Sequence, residues 1–205
     1  RALLALQGSA QQMETQLTDI TNVYHVTKAT AWALHLKELF SASMDIAPRL
    51  FALQGLRLID LSGERPQVLR ASRAKGGEMV QADTNDLQEV ETAIIKRVTE
   101  SGRPASATAQ ELSCVFPAGV SRMAWAPLWR KQQPIGVLVA EELPEAEVKM
   151  LSIVANQLSL QLSRIHLYET LETMAVTDAL TGMSVRRYGM ERAAEELQRA
   201  ARHDL

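Results

Sequence analysis

Met123-Ala-Trp-Ala-Pro-Leu-Trp129, Arg130-Lys-Gln-Gln-Pro134 and Ile135-Gly-Val-Leu-Val-Ala140 follow one another in the second half of the chain. Two apolar runs separated by a short polar and basic turn read as a β-hairpin. The second run is apolar on both faces, which places it centrally in a sheet. Toward the N-terminus, Leu56-Arg-Leu-Ile-Asp-Leu61 alternates as a half-buried strand, Ser62-Gly63-Glu64 is a turn, and Val68-Leu-Arg-Ala-Ser72 is the returning strand. Residues 74–85 are small and polar with glycines, and read as a loop. Asp86 suits a helix cap, and Val90, Ala93, Ile94 and Val98 form the buried stripe of a helix that ends at Gly102. Ala105 to Thr108 is a short strand, followed by a loop through Gly119.

Helices flank this region. From Ala2 to about Ser43 the pattern is helical almost without interruption, with Leu6, Met13, Leu17, Ile20 and Tyr24 on heptad-like steps. Gly8 weakens the first turns by about 1 kcal/mol relative to alanine. Trp32, Leu36, Leu39 and Phe40 supply a broader apolar face suited to a sheet, and a break is expected between Met44 and Pro48, with Pro48 opening a short helix through Leu53.

At the other end a helix is expected from about Glu145 to Met174, with Pro144, Glu145 and Glu147 in its first turn, where negative charge meets the helix dipole. Val148, Leu151, Ala155, Leu158, Leu162 and Ile165 make one apolar row, and Ile153, Leu160, Leu167 and Met174 make a second at seven-residue intervals. A helix apolar on two sides needs two partners. The expectation is that one row packs on its own domain and the other on the same helix of a second subunit in a homodimer. The alternative is that both rows enter one core.

The net charge of −2 comes from 22 basic and 24 acidic residues with no isolated basic block, which argues against nucleic acid as a partner. No apolar run reaches the roughly 18 residues of a membrane span. Cys114 is the only cysteine, so there is neither a disulfide framework nor a cysteine zinc cluster, and a reducing, cytoplasmic setting fits.

The order of helices, hairpin, helix, short strand, hairpin and exit helix resembles the GAF family. The phrase Ala126-Pro127-Leu128 followed by Ile135-Gly136-Val137-Leu138 carries that resemblance. It implies an α+β fold in which an antiparallel sheet packs with helices, flanked by long N- and C-terminal helices; a PAS-like fold is the alternative. A second resemblance follows the exit helix. Thr177-Asp178-Ala179-Leu180-Thr181-Gly182, then Arg186-Arg187-Tyr188, is similar to the opening of the GGDEF (diguanylate cyclase) domain, with Asp178, Gly182, Arg186 and Arg187 shaping the turn. Val185 stands where that family usually has asparagine. A chance capping turn is the alternative.

These resemblances imply residues 1–30 as a coiled-coil-like helix, 31–142 as a GAF-like sensory domain, 143–176 as a signalling helix and 177–205 as an incomplete GGDEF start. The chain begins with Arg1 and ends before the family's signature pentapeptide, as a piece of a longer protein would. The piece itself is expected to be no enzyme and to hold no cofactor. Its parent, as a diguanylate cyclase making cyclic di-GMP, would need magnesium and GTP.

A GAF ligand pocket is expected between the sheet, the helix that ends at Gly102 and the loop after Thr108, lined by Cys114, Phe116, Met123 and Trp125 for an unknown small molecule; the alternative is that these residues simply fill the core. His25, His35, His166 and His203 fall on expected helices outside the pocket and read as solvated. No catalytic dyad, metal-ligand spacing or phosphate loop is found. Two functions remain: a ligand-responsive dimerising module that controls a downstream cyclase, or a ligand-free spacer that relays a signal from upstream.

Overall fold

The computed structural model describes residues 2–74, 78–82 and 86–176. The elements run α1 (Ala2–Thr30), α2 (Leu36–Leu50), β1 (Gly55–Asp60), β2 (Gln67–Arg73), β3 (Met79–Ala82), α3 (Glu89–Ser101), β4 (Ala105–Thr108), α4 (Ala109–Leu112), β5 (Arg122–Arg130), β6 (Gln133–Glu141), a 3-10 turn (Glu145–Glu147) and α5 (Val148–Val176). The strands form one antiparallel six-stranded sheet in the order β3-β2-β1-β6-β5-β4. The fold is α+β, as expected. Residues 1–163 make one compact unit and 164–205 a second, described as far as Val176.

β6 lies between β1 and β5, the central place that its two apolar faces require. β1 is also central and buried at every residue, which corrects the half-buried expectation. It carries two buried charges, Arg57 and Asp60, whose polarity imitates the alternation of a surface strand.

One face of the sheet presents Ile59, Val68, Met123, Trp125, Val137 and Val139 to Val90, Ile94 and Val98 of α3 in one apolar cluster. The opposite face meets α1, α2 and α5. There Val26, Ile46, Ala47, Phe51, Leu56, Leu138, Val154 and Leu158 close around about 10 Å³, the lower limit for a single water.

Along α5, Leu151, Ala155, Leu158, Leu162 and Ile165 are buried, whereas Leu160, Leu167 and Met174 are 64%, 60% and 70% exposed. The two rows therefore do not share one core. Ser159 adds a polar contact: its hydroxyl accepts from the Trp129 amide at 3.0 Å, at the register shift between Leu128 and Trp129, and donates to the Ala155 carbonyl at 2.7 Å.

Other local expectations are corrected. The N-terminal helix does not continue to Ser43; it stops at Thr30, and α2 starts anew at Leu36. Glu38 causes the restart, since its carboxylate accepts from the amides of Leu34 (2.7 Å) and His35 (3.3 Å), which would otherwise be orphaned. Trp32 falls in that break and is 59% exposed, so it does not pack on the sheet. His35 caps α2 rather than lying within it, and His166 is half-buried rather than solvated.

α2 runs through Pro48 to Leu50 instead of breaking before it. So close to the helix end, Pro48 forfeits only the bond to the Met44 carbonyl, while buried Ile46 and Ala47 hold the turn in place. The expected loop 74–85 contains the edge strand β3, paired to β2 from Arg70↔Ala82 to Arg73↔Met79. α3 is capped at Gln88 rather than Asp86, because Glu91 accepts from the Gln88 amide at 2.8 Å.

Gly136 brings α5 against the sheet. A Cβ built there would lie 2.6 Å from the Ile59 carbonyl oxygen and 3.2 Å from Leu162 Cδ2. Gly136→Ala is therefore expected to lower the unfolding free energy by about 2 kcal/mol or more in urea titration. Gly63→Ala, whose Cβ would meet nothing nearer than 3.5 Å, should cost less than about 1 kcal/mol.

Candidate functional site

Alternation along β5 turns Met123 and Trp125 to the α3 face, where they are 0% and 4% exposed. Cys114 and Phe116 come from the loop after α4 and pack, half-buried, on the same cluster together with Val120. The structure thus gathers the four expected pocket residues around one apolar interior. Among its polar atoms, Trp125 Nε1 stands out: it is buried and donates to no acceptor among the described residues. A buried donor left unpaired costs about 1–3 kcal/mol, so its position asks for an acceptor. Cys114 is no activated nucleophile, since burial and the nearby Glu89 charge push its thiol above the usual value.

A different cluster beside this interior escaped the sequence reading. Arg57 of β1 and Arg70 of β2 face each other in register, both buried, an arrangement that repels unless an anion bridges it. Glu91, fully buried on α3, is that anion. Its Oε1 lies 2.7 Å from Arg57 Nη1 and 2.5 Å from Arg70 Nε, and its Oε2 accepts from Arg70 Nη2. Glu141 at the end of β6 takes the other side of Arg57, at 2.9 Å from Nε and 2.5 Å from Nη2. Gln88 Oε1 accepts from Arg57 Nη1 at 2.8 Å, and the Asp86 carbonyl accepts from Arg70 Nη2.

Gly55 makes the seat for Glu141: a Cβ there would fall 2.0 Å from Glu141 Oε2. Two positive and two negative side chains close on one another. The cluster is a clamp that ties α3 to β1, β2 and the end of β6. The paired arginines at Leu56-Arg57-Leu58 and Leu69-Arg70-Ala71 were the available signal, once the hairpin register is drawn.

An open cleft of about 380 Å³ lies between α1 and α2, lined by His25, Lys28, Ala29, Asp45, Ile46 and Arg49. Its charged residues are all exposed and of mixed sign. Among the described residues no group of three or more His, Cys, Asp or Glu is placed to hold a metal, and no helix is long and apolar enough to cross a membrane. Of the expected seam, Ile153 is half-buried and Leu160, Leu167 and Met174 are exposed. The turn residues Asp178, Gly182, Arg186 and Arg187 lie outside the described residues, as does His203.

No family model matches the chain, and no curated protein matches it. Solved structures do. The GAF domain of an Acinetobacter phosphoenolpyruvate-protein phosphotransferase aligns over 73% of this chain and 95% of its own, with a TM-score of 0.53 at 13% identity. A GAF domain attributed to a sensor histidine kinase of Pseudomonas syringae pv. tomato aligns over 81% and 99%, with a TM-score of 0.52 at 13% identity. The GAF domain of the Coxiella burnetii phosphoenolpyruvate-protein phosphotransferase aligns over 75% and 98%, with a TM-score of 0.51 at 11% identity. The fold is that of a GAF domain. At these identities the likeness concerns the fold alone; the PAS-like alternative is set aside.

The clamp sets an acid response. Burial pushes the Glu91 carboxyl up, but hydrogen bonds from Arg70, the Gln88 amide and Arg57, together with the Arg57 charge, hold it below its usual value. A carboxyl depressed in the folded state contributes stability that is fully present above its unfolded pKa, about 4.3. That contribution is lost as pH falls through the lower folded value. Glu91→Gln is expected to cost about 3–5 kcal/mol at pH 7, because it removes the carboxylate that the two buried arginines share. In urea unfolding the gap between wild type and variant should narrow below about pH 4; an equal gap at pH 7 and pH 3 would contradict the assignment.

Proposed function

We propose that the chain is the sensory and regulatory part of a diguanylate cyclase-type signalling protein. In this reading it dimerises through its terminal helices, takes a small molecule on the α3 face of its sheet, and controls cyclic di-GMP synthesis by a downstream domain. The carrying observation is the division of α5: Leu151, Ala155, Leu158 and Leu162 are buried, while Leu160, Leu167 and Met174 of the same helix are exposed. A helix built in this way can bind its own sheet and a second copy at once. α1 supports the same reading, with Met13, Leu17, Ile20 and Tyr24 on 4-3-4 steps and each 59–65% exposed.

The cyclase part rests on the likeness of Thr177–Gly182 and Arg186-Arg187 to the GGDEF opening. Magnesium and GTP belong to that downstream domain. Trp125 favours a ligand-responsive module over a ligand-free spacer: an occupant that offers an oxygen or nitrogen acceptor to its Nε1 would gain a hydrogen bond the empty interior leaves unmade.

Leu160→Glu/Leu167→Glu is expected to convert a dimer to a monomer by light scattering at micromolar concentration, with the circular dichroism of the domain unchanged. A wild-type chain that is already monomeric there would sink the dimer. Native mass spectrometry of the gently purified protein should find a retained small molecule that Trp125→Phe loses; retention of nothing by wild type would favour the spacer.

A further inference from the structure

A sensory domain needs a path from its ligand face to its exit helix, and Glu142 holds both ends of one. It follows β6 directly and has φ of 58°, in the left-handed region that residues with a Cβ seldom occupy. Its carboxylate is committed across the end of the sheet. Oε1 accepts from the backbone amides of Ser121 and, at 3.0 Å, of Arg122, and Oε2 accepts from the Ser121 hydroxyl at 3.0 Å. The Glu142 amide in turn donates to the Arg122 carbonyl at 2.9 Å. The Ser121 amide, the main cause, together with the Arg122 amide, the Ser121 hydroxyl and the Arg122 charge, holds the Glu142 carboxyl below its usual value, so it is ionised at neutral pH.

What lies on either side gives the residue its leverage. Ser121 closes the loop 113–121, the loop that lays Cys114, Phe116 and Val120 on the apolar interior under α3. On the other side Leu143 is fully buried, and the Glu147 amide donates to the Pro144 carbonyl at 2.9 Å, opening the turn that becomes α5 at Val148. Bonds from the ligand-side loop therefore maintain a backbone angle that is unfavourable by itself, immediately ahead of the exit helix. If the carboxylate is let go, the reason for that angle goes with it.

We infer that Glu142 is the coupling residue of the domain: displacement of loop 113–121 releases its carboxylate, and the chain at 142–144 relaxes and re-aims the start of α5. This rests on the sensory reading for what moves the loop, but not for the mechanical link, so the link is tested without a ligand. Cys114→Trp wedges the loop from beneath, and alkylation of Cys114 with N-ethylmaleimide does the same should that variant not fold. The readout is hydrogen exchange at the amides of 121–122 and of the first two turns of α5, 148–155, with β1 and β6 amides as the reference for global stability.

In the wild-type background the wedge is expected to speed exchange about tenfold in both segments. Glu142→Gly keeps the left-handed angle comfortable but removes the carboxylate. In that background the wedge should still open the loop, while the α5 response falls to about twofold or less. Glu142→Gln, which keeps an acceptor at the same reach, should restore the response. Glu142→Asn, also tolerant of the angle but too short to span, substitutes if the glycine variant does not fold. An α5 response of equal size with and without the carboxylate overturns the inference, and so does a wild-type α5 that ignores an opened loop. Failure of the ligand reading would appear separately, as a native mass spectrum with nothing retained.

Discussion

Arg57 is a cation in the middle strand pair of a sheet, where an unpaired charge would be untenable. Everything around it is arranged to answer that one fact. α3 has to present Glu91 over β1 and β2, which sets the position of the helix along the sheet. β6 has to end with Glu141 beside β1, and β1 has to begin with a residue lacking a side chain, Gly55, to leave room for the carboxylate. Glu91 also caps the helix that carries it, through the Gln88 amide. A hydrophobic replacement of similar volume can match such a cluster in stability. What the ions add is position: α3 cannot slide along the strands without parting Glu91 from Arg70 or Arg57.

The two faces of the sheet have different physical characters. Under α1, α2 and α5 the packing is closed, with Gly136 letting the Leu162 side chain approach the strand and Ser159 bonding the helix to the Trp129 amide. Under α3 the interior is bounded partly by a loop, whose half-buried Cys114 and Phe116 give it fewer restraints than a helix or strand. One sheet thus carries a face covered by helices and a face bounded partly by a loop. β5 and β6 contribute to both, since their alternate residues point to opposite sides.

The sheet and its central hairpin were legible because strand periodicity and turn chemistry agreed: Ile135 to Ala140 is apolar throughout, and polar Arg130 to Pro134 joins it to its partner. The exit helix was legible from two rows of regular spacing. What failed was whatever depended on residues distant in sequence. Buried Arg57 looks like a surface residue until Glu91 and Glu141 are brought beside it. Asp86 is the better cap by residue preference, yet the helix begins at Gln88 because Glu91 reaches back to it. β3 was hidden because Met79-Val-Gln-Ala82 is a weak strand by itself and is held by pairing to β2. The expected pocket residues share one interior because β5 alternation and the loop after α4 converge there, whereas the orphaned nitrogen of Trp125 depends on every neighbour at once and leaves no mark in the sequence.

The sheet ends in β3 on one side and β4 on the other, strands of 4 residues each. An edge that short exposes few backbone donors and acceptors, too few to template a strand from another molecule. Unwanted sheet-to-sheet growth, the common hazard of antiparallel proteins, is therefore blunted at both margins. The large apolar side chains left exposed lie mostly on helices, among them Leu17, Ile20, Leu160 and Leu167, and helical seams, unlike strand edges, select partners by register and side-chain shape rather than by generic backbone pairing. Crowded among many sheet-bearing proteins, such a chain would be protected from indiscriminate association by the shortness of its outermost strands.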